Sequence, residues 1–345
     1  MEGGSGLMDI AQICAAACRQ GASDIHITVE SPPAVRVHGE LVRMPFPVLS
    51  AKETDELLRS FCPPDRLERF RSSGQVDFSL SLPGTGRFRV NAFKQRGSTA
   101  MTIRVLRGQV PRLKDLHLPG AVLRFATLRN GLVLIAGATG SGKSSTLAAI
   151  VAEISSTYPY HIITLEDPVE FLHKHGKGIV NQREVGSDTP SFADGVRAAL
   201  REDPDVIVIG ELRDHETAAT ALSAAETGHL VLATMHAPRA TGAVNRLTDL
   251  FPSEYHRQVR AQISEVLEGI VAQELLPRSS GSGRIAACEI LVATEEVRRL
   301  IRSGETHRLP GVIARGAAGM VTMEQSVEAL CAAGAITKEV RSART

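Results

Sequence analysis

The sequence predicts an α/β chain in two parts: an α+β domain on an antiparallel sheet, then a domain whose parallel sheet is flanked by helices. Three observations predict it. Through residue 106 the strand candidates alternate apolar and polar residues, the mark of a sheet with one wet face. Beyond residue 130 they become short uninterrupted apolar runs separated by helical stretches, and such runs need cover on both faces. Where the first of those runs ends, Gly137-Ala138-Thr139-Gly140-Ser141-Gly142-Lys143-Ser144 matches the P-loop pattern G-x-x-x-x-G-K-[ST] in full.

Taken in order, Met1–Leu7 is Gly-rich and expected to fray. Residues 8–20 read as a helix ended by Gly21, and 23–29 as a half-buried strand. Pro32-Pro33 break that strand, and Ala34–Met44 reads as a hairpin turning at His38-Gly39. Ser50 with Glu53 forms a capping box ahead of a helix to about Phe61; Pro63-Pro64 open the next helix, which Gly74 ends. Alternating strands follow near 75–82, 86–95 and 99–106, so the first domain is expected over 1–107. Residues 108–120 hold two prolines and little periodicity and read as a linker.

The second domain, 121–345, offers parallel strands at 131–136, 161–165, 205–209 and 230–234. One helix is expected after an N-cap at Ser191 and another over 215–227, closed by Gly228. A long amphipathic helix is expected over 254–275, with Val259, Ile263, Val266, Leu267, Ile270 and Val271 on one face. Then come a loop at 277–283, a strand at 285–292 and short helices from about 294, the last opening at Thr322 with Gln325 as its capping box.

Composition narrows the chemistry. Apolar residues make up 43%, enough for two cores. Net charge is +1, aromatic content 4% and Trp absent, which argues against a nucleic-acid translocase with a basic channel and stacking platforms. No apolar run approaches bilayer length and the first residues show no leader pattern, so a cytoplasmic protein is expected. The five cysteines are scattered and form no C-x-x-C pair; Cys14 and Cys18 share a helix face without a second pair, so buried thiols are expected and no zinc site.

The P-loop follows a buried strand, and Ser145–Val151 continues a helix that begins inside the motif. Glycines 137, 140 and 142 let the backbone turn its N–H groups, with those of Ala138, Thr139 and Ser141, toward phosphate; the first turn at Lys143, Ser144 and Ser145 adds a helix N-terminus. Lys143 would set a point charge on the β- and γ-phosphates of ATP, and the Ser144 hydroxyl would hold Mg²⁺. Glu166 ends the second parallel strand, where it would face Mg²⁺ or the attacking water; the competing reading is a solvated turn acid. Glu211 follows the run Val206–Ile209 and would orient water as general base; alternatively it satisfies a helix dipole. Asp205 starts that strand and so lies at the wrong end for magnesium. His229 and His236 bracket the strand 230–234, and His236, at its carboxyl end, would sense the γ-phosphate.

At these segments the chain resembles the secretion ATPase superfamily, the hexameric motors of type II secretion and type IV pili. The likeness rests on the P-loop, an Asp box (Ile163–Glu170), a Walker B segment ending Gly210-Glu211-Leu212-Arg213-Asp214 and a His box (Glu226–His236). Within that group it is most similar to the type IV pilus retraction ATPases, through Ala22–Ile27, Pro33–Leu41, Val180–Gly186 and Ala198–Asp205. Extension and type II motors usually carry a tetracysteine zinc site after the His box, and none stands here. The retraction motif Ala-Ile-Arg-Asn-Leu-Ile drifts to Glu296-Val297-Arg298-Arg299-Leu300-Ile301.

The resemblance implies a PAS-like N-terminal domain, a RecA-like ATPase domain with C-terminal helices and a homohexamer. It implies that Arg89 and Arg104, which spacing alone would make surface charges on strands, act as arginine fingers; His229 is expected to join His236 in reading the γ-phosphate, the competing reading of each being a structural hydrogen bonder. It further implies action on the pilin fibre through a polytopic inner-membrane platform protein. The motor would be peripheral at the cytoplasmic face, with membrane contact only through partners and no direct nucleic acid.

Overall fold

A computed structural model describes residues 9–37, 39–106 and 110–342. The expected fraying at Met1–Leu7, the His38 half of the hairpin turn and the first two residues of the 108–120 stretch lie outside the described residues. The chain divides into two compact units, Met1–Gln109 and Val110–Thr345, each with its own sheet.

In the first unit, β1 (Asp24–Ile27), β2 (Ala34–Val37), β3 (Glu40–Arg43), β4 (Gln75–Leu82), β5 (Gly86–Gln95) and β6 (Ser98–Leu106) pair antiparallel in the order β3-β2-β1-β6-β5-β4. Their alternation is used as the sequence suggests. Ile25, Val35, Val90 and Ile103 turn to one face, where α1 (Ile10–Arg19), α2 (Ala51–Phe61) and α3 (Pro64–Ser73) contribute Ile13, Leu58 and Phe70. The Ser50–Glu53 capping box closes the start of α2, and Gly74, at φ +77°, ends α3. Arg89 and Arg104 stand directly opposite each other on the other face.

The second unit runs α4 (Ala121–Phe125), β7 (Gly131–Ala136), α5 (Lys143–Thr157), β8 (His161–Glu166), β9 (Ile179–Glu184), α6 (Phe192–Ala199), β10 (Val206–Ile209), α7 (His215–Glu226), β11 (Leu230–Met235), α8 (Ala240–Asp249), α9 (His256–Val266), β12 (Leu267–Pro277) and β13 (Arg284–Val292). Then α10 (Glu295–Ser303), α11 (Leu309–Ala314), α12 (Met323–Ala332) and α13 (Lys338–Ser342) follow. The sheet order is β13-β12-β7-β11-β10-β8-β9, all parallel except β13. Leu132, Leu134, Val231 and Ala233 pack into a core on one face; Val133, Ile135, Leu230 and Leu232 pack into a second on the other. Two buried faces explain why these strands read as unbroken apolar runs. This is the RecA-like layout.

The expected helix over 254–275 is corrected. A 3₁₀ turn at Ser253–Tyr255 leads into α9, which stops at Val266, and β12 begins at once beside β7. Ile270 and Val271 share a helical face on paper, yet they are fully buried in opposite cores, as only a strand allows. Burying each side chain contributes about 1.5–3 kcal/mol, more than the few tenths by which helix propensities differ. Gly269 fits here because a Cβ would fall 2.3 Å from the Phe125 ring. The helix opening at Thr322 does carry its capping box but is followed by α13, so it is not the last. Strand β9 and helix α8 had no counterpart in the sequence reading.

Candidate active site

Parallel pairing brings the carboxyl ends of β7, β8, β10 and β11 to one edge. Ile209 pairs with both Leu165 and Ala233, and Met235 with Ala136. One or two residues beyond those pairs stand Gly137, Glu166, Glu211 and His236. Such an edge is where open α/β sheets bind ligands.

The P-loop leaves β7 at Gly137 and enters α5 at Lys143. Gly140 and Gly142 take φ of +77° and +90°, and a Cβ on Gly137 would lie 2.4 Å from the Gln273 carbonyl and the Ser141 hydroxyl. No side chain caps α5, so its first-turn N–H groups remain available to an anion. Ala138, Thr139 and Ser144 are exposed at the mouth, with Ser145 half-buried. Lys143 Nζ donates to the carbonyls of Gly137 and Ala138, each at 2.9 Å. Burial pushes its pKa down and the Glu211 carboxylate pulls it back up.

Glu211 is only 15% exposed and faces two partners: Arg213 Nη2 at 2.7 Å from Oε2 and His236 Nε2 at 3.2 Å from Oε1. The loop carrying it is tied to β11, since Leu212 N–H donates to the Thr234 carbonyl at 2.9 Å and the Thr234 hydroxyl donates to that of Gly210. Glu166 Oε1 accepts from the Thr164 hydroxyl at 2.7 Å and Gln182 Nε2 at 2.9 Å. Burial raises its pKa against those bonds. A carboxylate held this way has a fixed direction, which positioning a water requires.

His229 does not join this cluster. It precedes β11, at the amino edge, so a six-residue strand of roughly 3.3 Å per residue separates it from His236. Its Nδ1 lies 3.1 Å from the Ala224 carbonyl and 3.2 Å from the Thr227 hydroxyl, a hydrogen-bonded closure of α7. Within this chain His229 therefore stands at the edge opposite the P-loop. His229→Gln is expected to leave ADP affinity within about twofold, as measured by fluorescent-nucleotide titration. Asp205 stands at the same amino edge, its carboxylate accepting His161 N–H at 2.8 Å. Arg89 and Arg104 belong to the first unit: Arg104 Nε pairs with Asp24 at 3.0 Å, and Arg89 lies 3.9 Å from Asp77.

Four residues at this edge had no assigned role in the sequence: Gln182, Arg213, Gln273 and Arg284. Arg213 stands two places after Glu211, a spacing that could have flagged it. Gln273 was hidden by the helix reading. Its Nε2 donates to the Ser141 carbonyl at 2.7 Å, and Arg284 Nη1 lies 3.4 Å from that of Gly140.

Comparison with known proteins agrees with this geometry. The family model described as type II/IV secretion system protein matches residues 5–341. A type IV pilus retraction ATPase, PilT, of Pseudomonas aeruginosa is 40% identical over 333 residues, covering 96% of each chain. A twitching motility protein of Neisseria gonorrhoeae is 43% identical over 313 residues, covering 90% of this chain and 84% of that one. Among solved structures, the pilus retraction motor PilT with bound ADP superposes with a TM-score of 0.91 at 44% identity, covering 98% of this chain and 97% of that one. The chain belongs to the type II/IV secretion system protein family and is an ATPase.

Proposed function

We propose that this ATPase is the motor of type IV pilus retraction, working as a homohexamer at the cytoplasmic face of the inner membrane. It acts on the pilin fibre through a polytopic platform protein. The observation that carries the reading is the shared edge of P-loop, Glu166, Glu211 and His236, within a likeness to PilT that spans both units instead of the nucleotide unit alone. Among the described residues no helix is long and apolar enough to cross a membrane, which fits attachment through partners.

ATP lies with its phosphates against 137–145. Glu211 orients the attacking water with help from Glu166, and His236, bonded to Glu211, registers the γ-phosphate. The exposed Ser144 hydroxyl, in the first turn of α5, is a hard oxygen donor of the kind that Mg²⁺ favours. Bound there, Mg²⁺ would neutralise phosphate charge. Arg89 and Arg104 respond to the γ-phosphate, and their opposed positions on β5 and β6 let one face of the sheet present two guanidinium groups, each beside a carboxylate, Asp77 and Asp24, that phosphate would replace.

The test is deletion of the gene followed by a count of surface pili. More pili with lost twitching is the expected result. Bald cells would make the protein an extension motor and overturn the reading.

A further inference from the structure

A loop that turns its N–H groups toward an anion turns its carbonyls back into the protein, where each needs a donor. In this P-loop, Lys143 supplies Gly137 and Ala138, and Arg284 reaches Gly140. The Ser141 carbonyl is supplied by the neutral amide of Gln273, which is 2% exposed and comes from β12, the strand beside the one that feeds the loop. The contact is close: a Cβ on Gly142 would lie 3.0 Å from Gln273 Nε2. Gln273 Oε1 and the Ser141 hydroxyl are both buried without hydrogen-bond partners. An orphaned buried acceptor is destabilising, so the amide contributes here through its donor end.

The Ser141 carbonyl and the Gly142 N–H belong to one planar peptide unit and point in opposite directions. Pinning the first aims the second. We propose that Gln273 is a positioning residue for nucleotide binding: by holding the Ser141 carbonyl backward it keeps the Gly142 N–H directed at phosphate. The proposal rests on nucleotide binding at the P-loop and is independent of the retraction reading.

The test uses two variants of the full-length protein. Gln273→Met keeps length and removes both the donor and the orphaned acceptor. Its dissociation constant for fluorescent ADP and its KM for ATP are expected to rise about tenfold, with kcat within about threefold of wild type. Gln273→Glu carries its own control. As an acid it has an O–H donor that can reach the Ser141 carbonyl; as a carboxylate it has none. Its ADP affinity should therefore be weak at pH 8.5 and recover toward wild type as pH falls to 6. The cations bonded to the same loop are Lys143 and Arg284, which favour the ionised form and lower the pH of recovery; wild type carries both and supplies the baseline. Cys288 stands opposite on β13 with its thiol pushed up to about 12 by burial, so it stays neutral throughout. A folded Gln273→Met protein with wild-type ADP affinity would overturn the proposal. So would a Gln273→Glu profile no steeper than wild type, and this second reading decides alone if the Met variant does not fold.

Discussion

Replacing Glu211 with Gln is expected to lower kcat for ATP by about a hundredfold or more, while ATP affinity changes by less than about threefold. The shape of the side chain is kept, and so is one acceptor oxygen. What is lost is the charge and the capacity to take a proton from water. The native carboxylate spends one oxygen on Arg213 and the other on His236, so its direction is set from both sides. In phosphoryl transfer little covalent work falls to the protein, and positioned charge carries the rate, so the loss should appear in kcat and not in binding. Phosphate-release kinetics with a parallel fluorescent-ATP titration separate the two. Turnover within tenfold of wild type would move the water-orienting role to Glu166, and Glu166→Gln would be measured in the same assay.

The parts of this site that could be read from the chain share one property. Glu166, Glu211 and His236 each follow an apolar run by no more than two residues, and parallel strands align their carboxyl ends. Direction along the strand also decides His229. It stands before Leu230 and not after Met235, so the same rule puts it at the opposite edge; its assignment came from bracketing the strand with His236 and not from that rule. Gln273 was out of reach for a different reason. Over Val259–Val271 the apolar spacing fits a helix as well as a strand buried on both faces, and only partners distant in sequence, β7 and Phe125, decide between them. Strand β9 was missed because it lies at the sheet edge, where Ile179 is exposed and Asn181, Gln182 and Arg183 interrupt any apolar run.

Lys143→Ala is expected to weaken ATP binding by roughly a hundredfold or more, because it removes two functions at once. The ammonium has three donors. Two hold the Gly137 and Ala138 carbonyls, which leaves one for phosphate without releasing the loop. Lys143→Gln retains an amide donor for the loop but no charge, and should lose less than the Ala variant. Equal losses in the two would mean that charge alone matters. The charge itself depends on Glu211. Burial lowers the Lys143 pKa, and the Glu211 carboxylate opposes that. Removing the carboxylate in Glu211→Gln leaves burial unopposed, so the ammonium should lose its proton at a lower pH than in wild type. ATP affinity, titrated from pH 7 to 10, should then fall earlier in Glu211→Gln than in wild type. Parallel profiles would show that the two groups do not interact across the site, and the coupling between phosphate charge and water positioning would have to run through His236 instead.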